Sequence, residues 1–287
     1  MTRTRDTTPR RLLLAAAKGA VLGIVTVWTL FPIYYMLTLS FTPTTELFRP
    51  EYWVKNPTLE SYRFIVFQES VFVKFFWRWM ANSVVVAGAT MLGVLVVAAL
   101  GSFALGRIRF GLGRAISAMT LFTYIIPSSF LSIPFFKIMG DYDLLDTYWA
   151  LILAMVTFAS PYALWVLWDY SKTIPPEIDE SAAIDGAGVV TLFYRMYLPL
   201  VLPPLIAIGT YAFFFAWNEY LYAVLFLQSE TMYTLPISMG TFLTGDDAPW
   251  NLLMAVSTIY ALPPVIFYYV FRRYLTHGLV SGAVQGL

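Results

Sequence analysis

Long apolar stretches alternate with short polar ones along this chain, and the stretches share a characteristic length. Six runs, roughly 19–41, 82–105, 115–139, 148–169, 200–224 and 251–271, are each largely apolar over about 20 residues or more. A helix needs about 20 such residues to cross a hydrocarbon core about 30 Å thick, and lipid tolerates only helices and closed barrels. The pattern predicts an all-α membrane protein with six transmembrane helices.

One polar interruption is too elaborate to be a simple connector. Between the fourth and fifth runs, Glu180 to Pro199 reads ESAAIDGAGVVTLFYRMYLP. Pro175-Pro176 ends the preceding helix and can open another. Glu177, Asp179 and Glu180 stand at the new N-terminus, where the helix dipole favours negative charge. Ser181, Ala182 and Ala183 carry little bulk, so another surface can approach the backbone. Gly186 and Gly188 permit a sharp turn. Val189, Leu192, Phe193 and Met196 then fall at i, i+3, i+4 and i+7, one face of a second short helix. Leu198-Pro199 leads into the fifth run. The loop of about 172–199 is thus expected to form two short helices joined by a glycine turn. It could rest on headgroups as an amphipathic connector. Against that, Lys172 and Arg195 are its only cations, and an anionic surface would repel its acidic start. A docking protein suits it better.

Charge sets the orientation. With the N-terminus inside, the inner segments hold 12 of the Lys and Arg residues, including Arg107, Arg109 and Arg114, and the outer segments hold 6. That bias places both termini and the 172–199 loop in the cytoplasm. Residues 1–18 then form a cytoplasmic tail, 19–276 the six-span domain and 277–287 a second cytoplasmic tail. The basic start (Arg3, Arg5, Arg10, Arg11, Lys18) resembles that of a signal peptide. The apolar stretch behind it is too long and lacks a cleavage site, so an uncleaved first span is expected. The segment 42–81 is expected along the outer surface.

Composition agrees and narrows the chemistry. Hydrophobic residues make up 59% and charged residues 12%, against about 25% charged in soluble domains. The net charge of +1 implies no nucleic-acid partner. Cysteine is absent and His277 is the one histidine, which excludes disulfides, thiol catalysis and Cys/His metal sites. No G-x-x-x-x-G-K-[ST] phosphate loop occurs, so the chain is not an enzyme that hydrolyses ATP.

Glu180, Ala182, Gly186, Met196, Leu198 and Pro199 form the pattern E-x-A-x3-G-x9-hydrophobic-x-L-P. It resembles the EAA loop of importer-type ABC permeases. Asp185-Gly186-Ala187 is similar to the form found in the carbohydrate-uptake subfamily, the maltose-transporter-like inner-membrane subunits. Asn82-Ser83, Leu144-Leu145-Asp146-Thr147, Ala216-Trp217-Asn218-Glu219, Thr234-Leu235-Pro236 and Ser281-Gly282-Ala283-Val284 extend the likeness over residues 19–286. Ser181 stands where the family commonly has alanine and Met196 where it has isoleucine. Gln285 stands near a tail position that is lysine in the family, where the tail can reach the ATPase.

The resemblance implies one permease subunit of a binding-protein-dependent importer of a sugar or oligosaccharide in the cell membrane. Its implied partners are a second, homologous permease, an extracytoplasmic solute-binding protein and an ATPase dimer that binds ATP and Mg. Glu180, Ser181, Ala182, Asp185, Gly186, Ala187, Leu198 and Pro199 would form the coupling site for that ATPase. The outer loop 225–250, with Glu230, Asp246 and Asp247, would face the binding protein.

The remaining polar residues leave alternatives open. An ionised acid near a helix centre costs about 3 kcal/mol, so such residues face cavities or partner helices. Counting from Pro199 at 1.5 Å per residue puts Glu219 ~30 Å along, toward the outer half. Asn218, Glu219 and Tyr220, with Tyr222, can line a sugar pathway or clamp helices together. Asn82 and Ser83, like Ser128, Ser129 and Ser132, can line the same path, and equally can serve as ordinary helix glue. A secondary transporter would show inverted repeats and midplane acids, which the sequence lacks. Glycerol-phosphate-type cargo stays open beside sugar.

Overall fold

A computed structural model describes residues 9–47, 52–107, 119–120, 122–244 and 248–284. Its regular elements are α1 (Pro9–Ser40), α2 (Glu60–Phe67), α3 (Phe76–Arg107), α4 (Ser132–Asp141), α5 (Tyr148–Ser171) and α6 (Glu177–Ile184). They continue as α7 (Val189–Leu200), α8 (Leu202–Trp217), α9 (Leu221–Phe226), α10 (Leu235–Thr241) and α11 (Trp250–Val284). All regular structure among the described residues is helical. Arg109, Arg114, Asp246, Asp247 and Gln285 lie outside the described residues.

Among the described residues, four helices are long and apolar enough to cross a membrane: Leu13–Ser40, Val71–Arg107, Tyr148–Ser171 and Trp250–Arg273. They fall on the first, second, fourth and sixth predicted runs. The fifth run, 200–224, is not one straight helix. α7 and α8 meet at a bend of 77°, with Pro203 and Pro204 in the first turn of α8. Pro199 was expected to set the start of this span, and the break instead falls at Val201. The helix also stops at Trp217 and resumes at Leu221. Of the third run, 115–139, the described part is broken into short turns at 123–125 and 128–131 before α4. Pro127 precedes the second turn with φ −57 and ψ 131, a conformation that interrupts a helix. α11 runs through Val284, so no helix end marks a boundary at 276.

Two compact units divide the chain. In the first, Met1–Lys74 with Phe242–Ile259, Asn251 Nδ2 donates to the Thr42 carbonyl (3.2 Å) and Thr44 Oγ1 (3.1 Å). The Ser40 and Tyr62 hydroxyls meet at 2.8 Å. The apolar side chains of α1 from Leu13 to Tyr35 are exposed, a surface suited to lipid or to another chain.

The second unit, Phe75–Thr241 with Tyr260–Leu287, is built on α3, α5 and α8. Its core runs from Val86, Ala87, Leu151, Met155, Trp217 and Phe226 to Val94, Ala98, Ala163, Leu167 and Val201. Lipid tails are as apolar as these side chains, so close packing and small residues have to hold such helices together. Glycines on α3 supply the approach to α5. A Cβ on Gly93 would stand 2.7 Å from Val156 Cγ2, and one on Gly101 2.7 Å from Leu164 Cδ1. Gly101→Val is therefore expected to cost about 1–3 kcal/mol through overpacking, read as a lower unfolding midpoint in detergent. Gly88→Ala, with nothing within 4 Å of the new carbon, should keep the midpoint or raise it, since alanine is the better helix former. Equal midpoints for both variants would refute the close-approach account.

Candidate functional site

The 172–199 loop folds into two short helices, Glu177–Ile184 and Val189–Leu200. Where α5 ends, Lys172 Nζ lies 3.5 Å from the centre of the Trp168 ring and 2.9 Å from Asp169. Pro175-Pro176 then starts α6. The Pro176 carbonyl accepts from the amides of Asp179 (3.0 Å) and Glu180 (3.1 Å), and the first turn holds the three acids Glu177, Asp179 and Glu180. Ser181 Oγ donates back to the Ile178 carbonyl. Ala182 is the one buried side chain of α6, where its small size lets the backbone settle closely.

The turn between the helices depends on Gly186. Its φ is +82, in the left-handed region that L side chains enter at a cost of about 1–2 kcal/mol. Two backbone bonds close the end of α6, Gly186 N–H to Ala183 O (3.0 Å) and Ala187 N–H to Ala182 O (2.9 Å), the pattern of a left-handed helix cap. Asp185 and Gly186 are exposed, and nothing lies within 4 Å of a Cβ built on Gly186. The turn is a free projection.

α7 departs from the periodic helix the sequence predicts. Residues Leu192–Tyr197 form a π-helical stretch. Its buried side chains are Phe193, which the sequence pattern assigned to the inner face, and Tyr197, which it did not, whereas Val189, assigned to that face, is 62% exposed. Phe193 and Tyr197 pack on Phe103 of α3 with ring centres 5.2 Å away in each case. The Tyr197 hydroxyl donates to Ser102 Oγ at 2.8 Å. Arg107, the last residue of α3, reaches Asp179 Oδ2 at 2.7 Å and the Ile174 carbonyl at 3.3 Å. Against this anchored side, Ile184, Val189, Val190 and Tyr194 are 87%, 62%, 70% and 62% exposed. Apolar surface displayed on a fixed element marks an interaction site more often than chance.

The other sequence-predicted site residues separate into two groups. Asn82 and Ser83 are buried and fasten loop 231–235 to α3. Asn82 Nδ2 donates to the carbonyls of Thr231 (3.0 Å) and Tyr233 (2.8 Å), and its Oδ1 accepts from the Tyr148 hydroxyl (2.6 Å). Ser83 Oγ accepts from the Leu235 amide (2.9 Å). Asn218, Glu219 and Tyr220 instead form the break between α8 and α9. Asn218 Nδ2 donates to the Phe214 carbonyl (2.8 Å), the Tyr260 hydroxyl donates to the Trp217 carbonyl (2.8 Å), and Glu219 Oε1 accepts from the Tyr222 amide (2.8 Å). These bonds satisfy the backbone groups that a helix break frees. Tyr220 is 49% exposed and lies beside Gly240, where a Cβ would stand 3.0 Å from its Cε2. Tyr222 is buried, packed against Phe158 and Phe226, and so offers no open stacking face.

Two contributors had no assigned role in the sequence. Arg107 counted there only as an inner cation. Asp146 belongs to a matched motif, but its task is structural: it accepts from the amides of Gln228 (2.9 Å) and Ser229 (2.8 Å) and from the Ser229 hydroxyl. Those bonds, the Ser229 hydroxyl foremost, hold its carboxyl below the usual aspartate pKa.

Comparison with known proteins points one way. Residues 98–280 match the family described as binding-protein-dependent transport system inner membrane component. The chain is 35% identical over 271 residues to the inner membrane ABC transporter permease protein YcjP of Escherichia coli (strain K12), covering 92% of this chain and 94% of that protein. It is 29% identical to the trehalose/maltose transport system permease protein MalG of Thermococcus litoralis, over 98% of this chain and 99% of that protein. The diacetylchitobiose uptake system permease protein DasC of Streptomyces coelicolor is also 29% identical, over 89% and 92% of the two chains. Among solved structures, a bacterial ABC transporter involved in importing the acidic polysaccharide alginate matches in fold. Its TM-score is 0.82 at 20% identity, covering 94% of this chain and 99% of the other.

Proposed function

Because the chain belongs to the binding-protein-dependent transport system inner membrane component family, we propose that it is one of two permeases in a sugar importer whose ATPase grips the 172–199 loop. As a multi-pass membrane permease it supplies the path, and a separate ATPase dimer binding ATP and Mg supplies the energy. A solute-binding protein delivers the cargo from outside. The observation that carries this reading is the loop itself. Two short helices are fixed to α3 on one side and display Ile184, Val189, Val190, Tyr194 and a free glycine turn on the other. A push on a rigid element is transmitted, whereas a flexible loop would absorb it. Closure of the ATPase on ATP would bias the helices between inward-open and outward-open arrangements.

A saccharide cargo is supported by relatives named for trehalose, maltose and diacetylchitobiose. Six spans with both termini in the cytoplasm fit the distribution of Lys and Arg and put the loop on the side where ATP is. Asn218, Glu219 and Tyr220 are the residues proposed to touch sugar, because a broken membrane helix commonly marks a binding position and Asn218 and Tyr220 are exposed there. Asn82 and Ser83, with their polar atoms already engaged, would act by holding the outer loop.

Val190→Asp combined with Tyr194→Asp tests the docking surface. Neither side chain is buried in the permease, so insertion and thermal stability should stay within about 0.5 kcal/mol of the parent. ATPase recovered with the tagged permease should fall sharply, and ATP-driven uptake with it. Full ATPase recovery and normal uptake in this double variant would remove the loop from the mechanism.

A further inference from the structure

We propose that Arg107 is a positioning residue for coupling: its ion pair with Asp179 ties the first coupling helix to the end of α3, so that movement of the loop is passed to that span. The inference rests on the coupling reading above and adds to it the element that receives the motion. The Arg107 side chain is 9% exposed and that of Asp179 21%, so the pair is largely out of water. A buried ion pair contributes little net stability compared with apolar side chains of the same volume, and its use lies in geometry. The two ends of the guanidinium do separate tasks. Nη1 meets Asp179 Oδ2 at 2.7 Å, and Nη2 donates to the Ile174 carbonyl at 3.3 Å. One planar fork thus holds both α6 and the chain that leads into it. Among the described residues the buried Nε has no hydrogen-bond partner, and the guanidinium is held by these two contacts.

α3 holds the second coupling helix as well. Ser102 accepts from Tyr197, and Phe103 packs on Phe193 and Tyr197. Both halves of the loop are therefore fastened to the last six residues of one helix, Ser102 to Arg107. That helix packs along α5 through Gly93 and Gly101 and carries Asn82 and Ser83 near its other end. Displacement of the loop has a stiff path along α3. Arginine suits the task better than lysine, because an ammonium point charge cannot reproduce a fork held at two points.

The test is the ratio of solute taken up to ATP hydrolysed, measured on importer reconstituted with its binding protein and ATPase. In Arg107→Ala and Asp179→Asn the ATPase should stay bound while the ratio falls about tenfold, a coupling energy of ordinary size. Arg107→Lys, the variant least disruptive to folding, should lower the ratio part of the way. Exchanging the charges, Arg107→Asp with Asp179→Arg, should recover part of it, since the ion pair returns while the bond to the Ile174 carbonyl stays lost. A ratio unchanged in Arg107→Lys and Asp179→Asn would overturn the proposal. So would loss of bound ATPase from those variants, or a charge exchange as poor as the single changes. Gly186→Asp in the same preparation separates the two claims. If it keeps its ATPase and its uptake, the coupling reading fails. If it fails as expected while the Arg107 variants keep their ratio, only the positioning role is lost.

Discussion

Replacing Gly186 by aspartate is expected to abolish ATP-driven uptake while leaving the spans inserted. Two effects act at this one position. A side chain at φ +82 costs about 1–2 kcal/mol in backbone strain, enough to shift the turn between closed and open by a factor of about 5–30. Opening it would release the Ala187-to-Ala182 and Gly186-to-Ala183 bonds and free the two helices to move apart. The second effect is bulk and charge on a surface that is empty within 4 Å in the free permease, which an ATPase cleft would have to admit. Gly186→Ala and Gly186→Asn separate the two, since alanine meets the strain with little bulk and no charge, whereas asparagine tolerates the left-handed region better than most residues but is bulkier. If strain dominates, Ala should be more damaging than Asn; if bulk dominates, Asn should be more damaging than Ala. Uptake and ATPase copurification are the readouts. Normal values for both in Gly186→Asp would be incompatible with a gripped turn.

The 172–199 loop was the most legible part of this sequence because its signals are local. Pro175-Pro176, the acids behind them and Gly186 each act on their own backbone within a few residues, and α6 and its turn form where those signals stand. The face of α7 was only partly legible. The 3.6-residue period assigned Phe193 to the inside, where it lies, but it also assigned Val189 there and passed over Tyr197, which packs on Phe103, far away in sequence. Arg107 illustrates the same limit. Sequence gave it a side of the membrane, whereas its partner Asp179 is fixed only by how α3 and α5 pack. The fifth run shows a further gap, because an apolar stretch reports length in lipid and says little about a break inside it. Asn218 and Glu219 interrupt that run by bonding to the backbone around them. The distance of Glu219 along the span, counted on a straight helix from Pro199, therefore started from the wrong place: the axis begins at Leu202, beyond the 77° bend.

Glu219 is where structure and transport can be separated most sharply, and two substitutions should give different results. The Oε1 atom of Glu219 accepts the Tyr222 amide at 2.8 Å and so caps α9, a helix of only 6 residues. Glu219→Ala removes that cap, which costs about 1 kcal/mol by analogy with helix N-caps. For a chain of this size that lowers the unfolding midpoint by about 2–4 °C. Glu219→Gln keeps an oxygen able to accept the same amide, so its midpoint should stay at the parent value. If the carboxylate also bonds sugar hydroxyls in the pathway, Gln must lose a charge-assisted contact, and such contacts are worth about twice a neutral one. Both variants should then raise the solute concentration needed for half-maximal uptake by about tenfold, or ~1.4 kcal/mol, with the ATPase still bound. A Gln variant that transports like the parent, beside an Ala variant that is merely less stable, would make Glu219 a helix cap alone. The break between α8 and α9 would then be an architectural joint, and the sugar-contacting residues would have to be sought elsewhere.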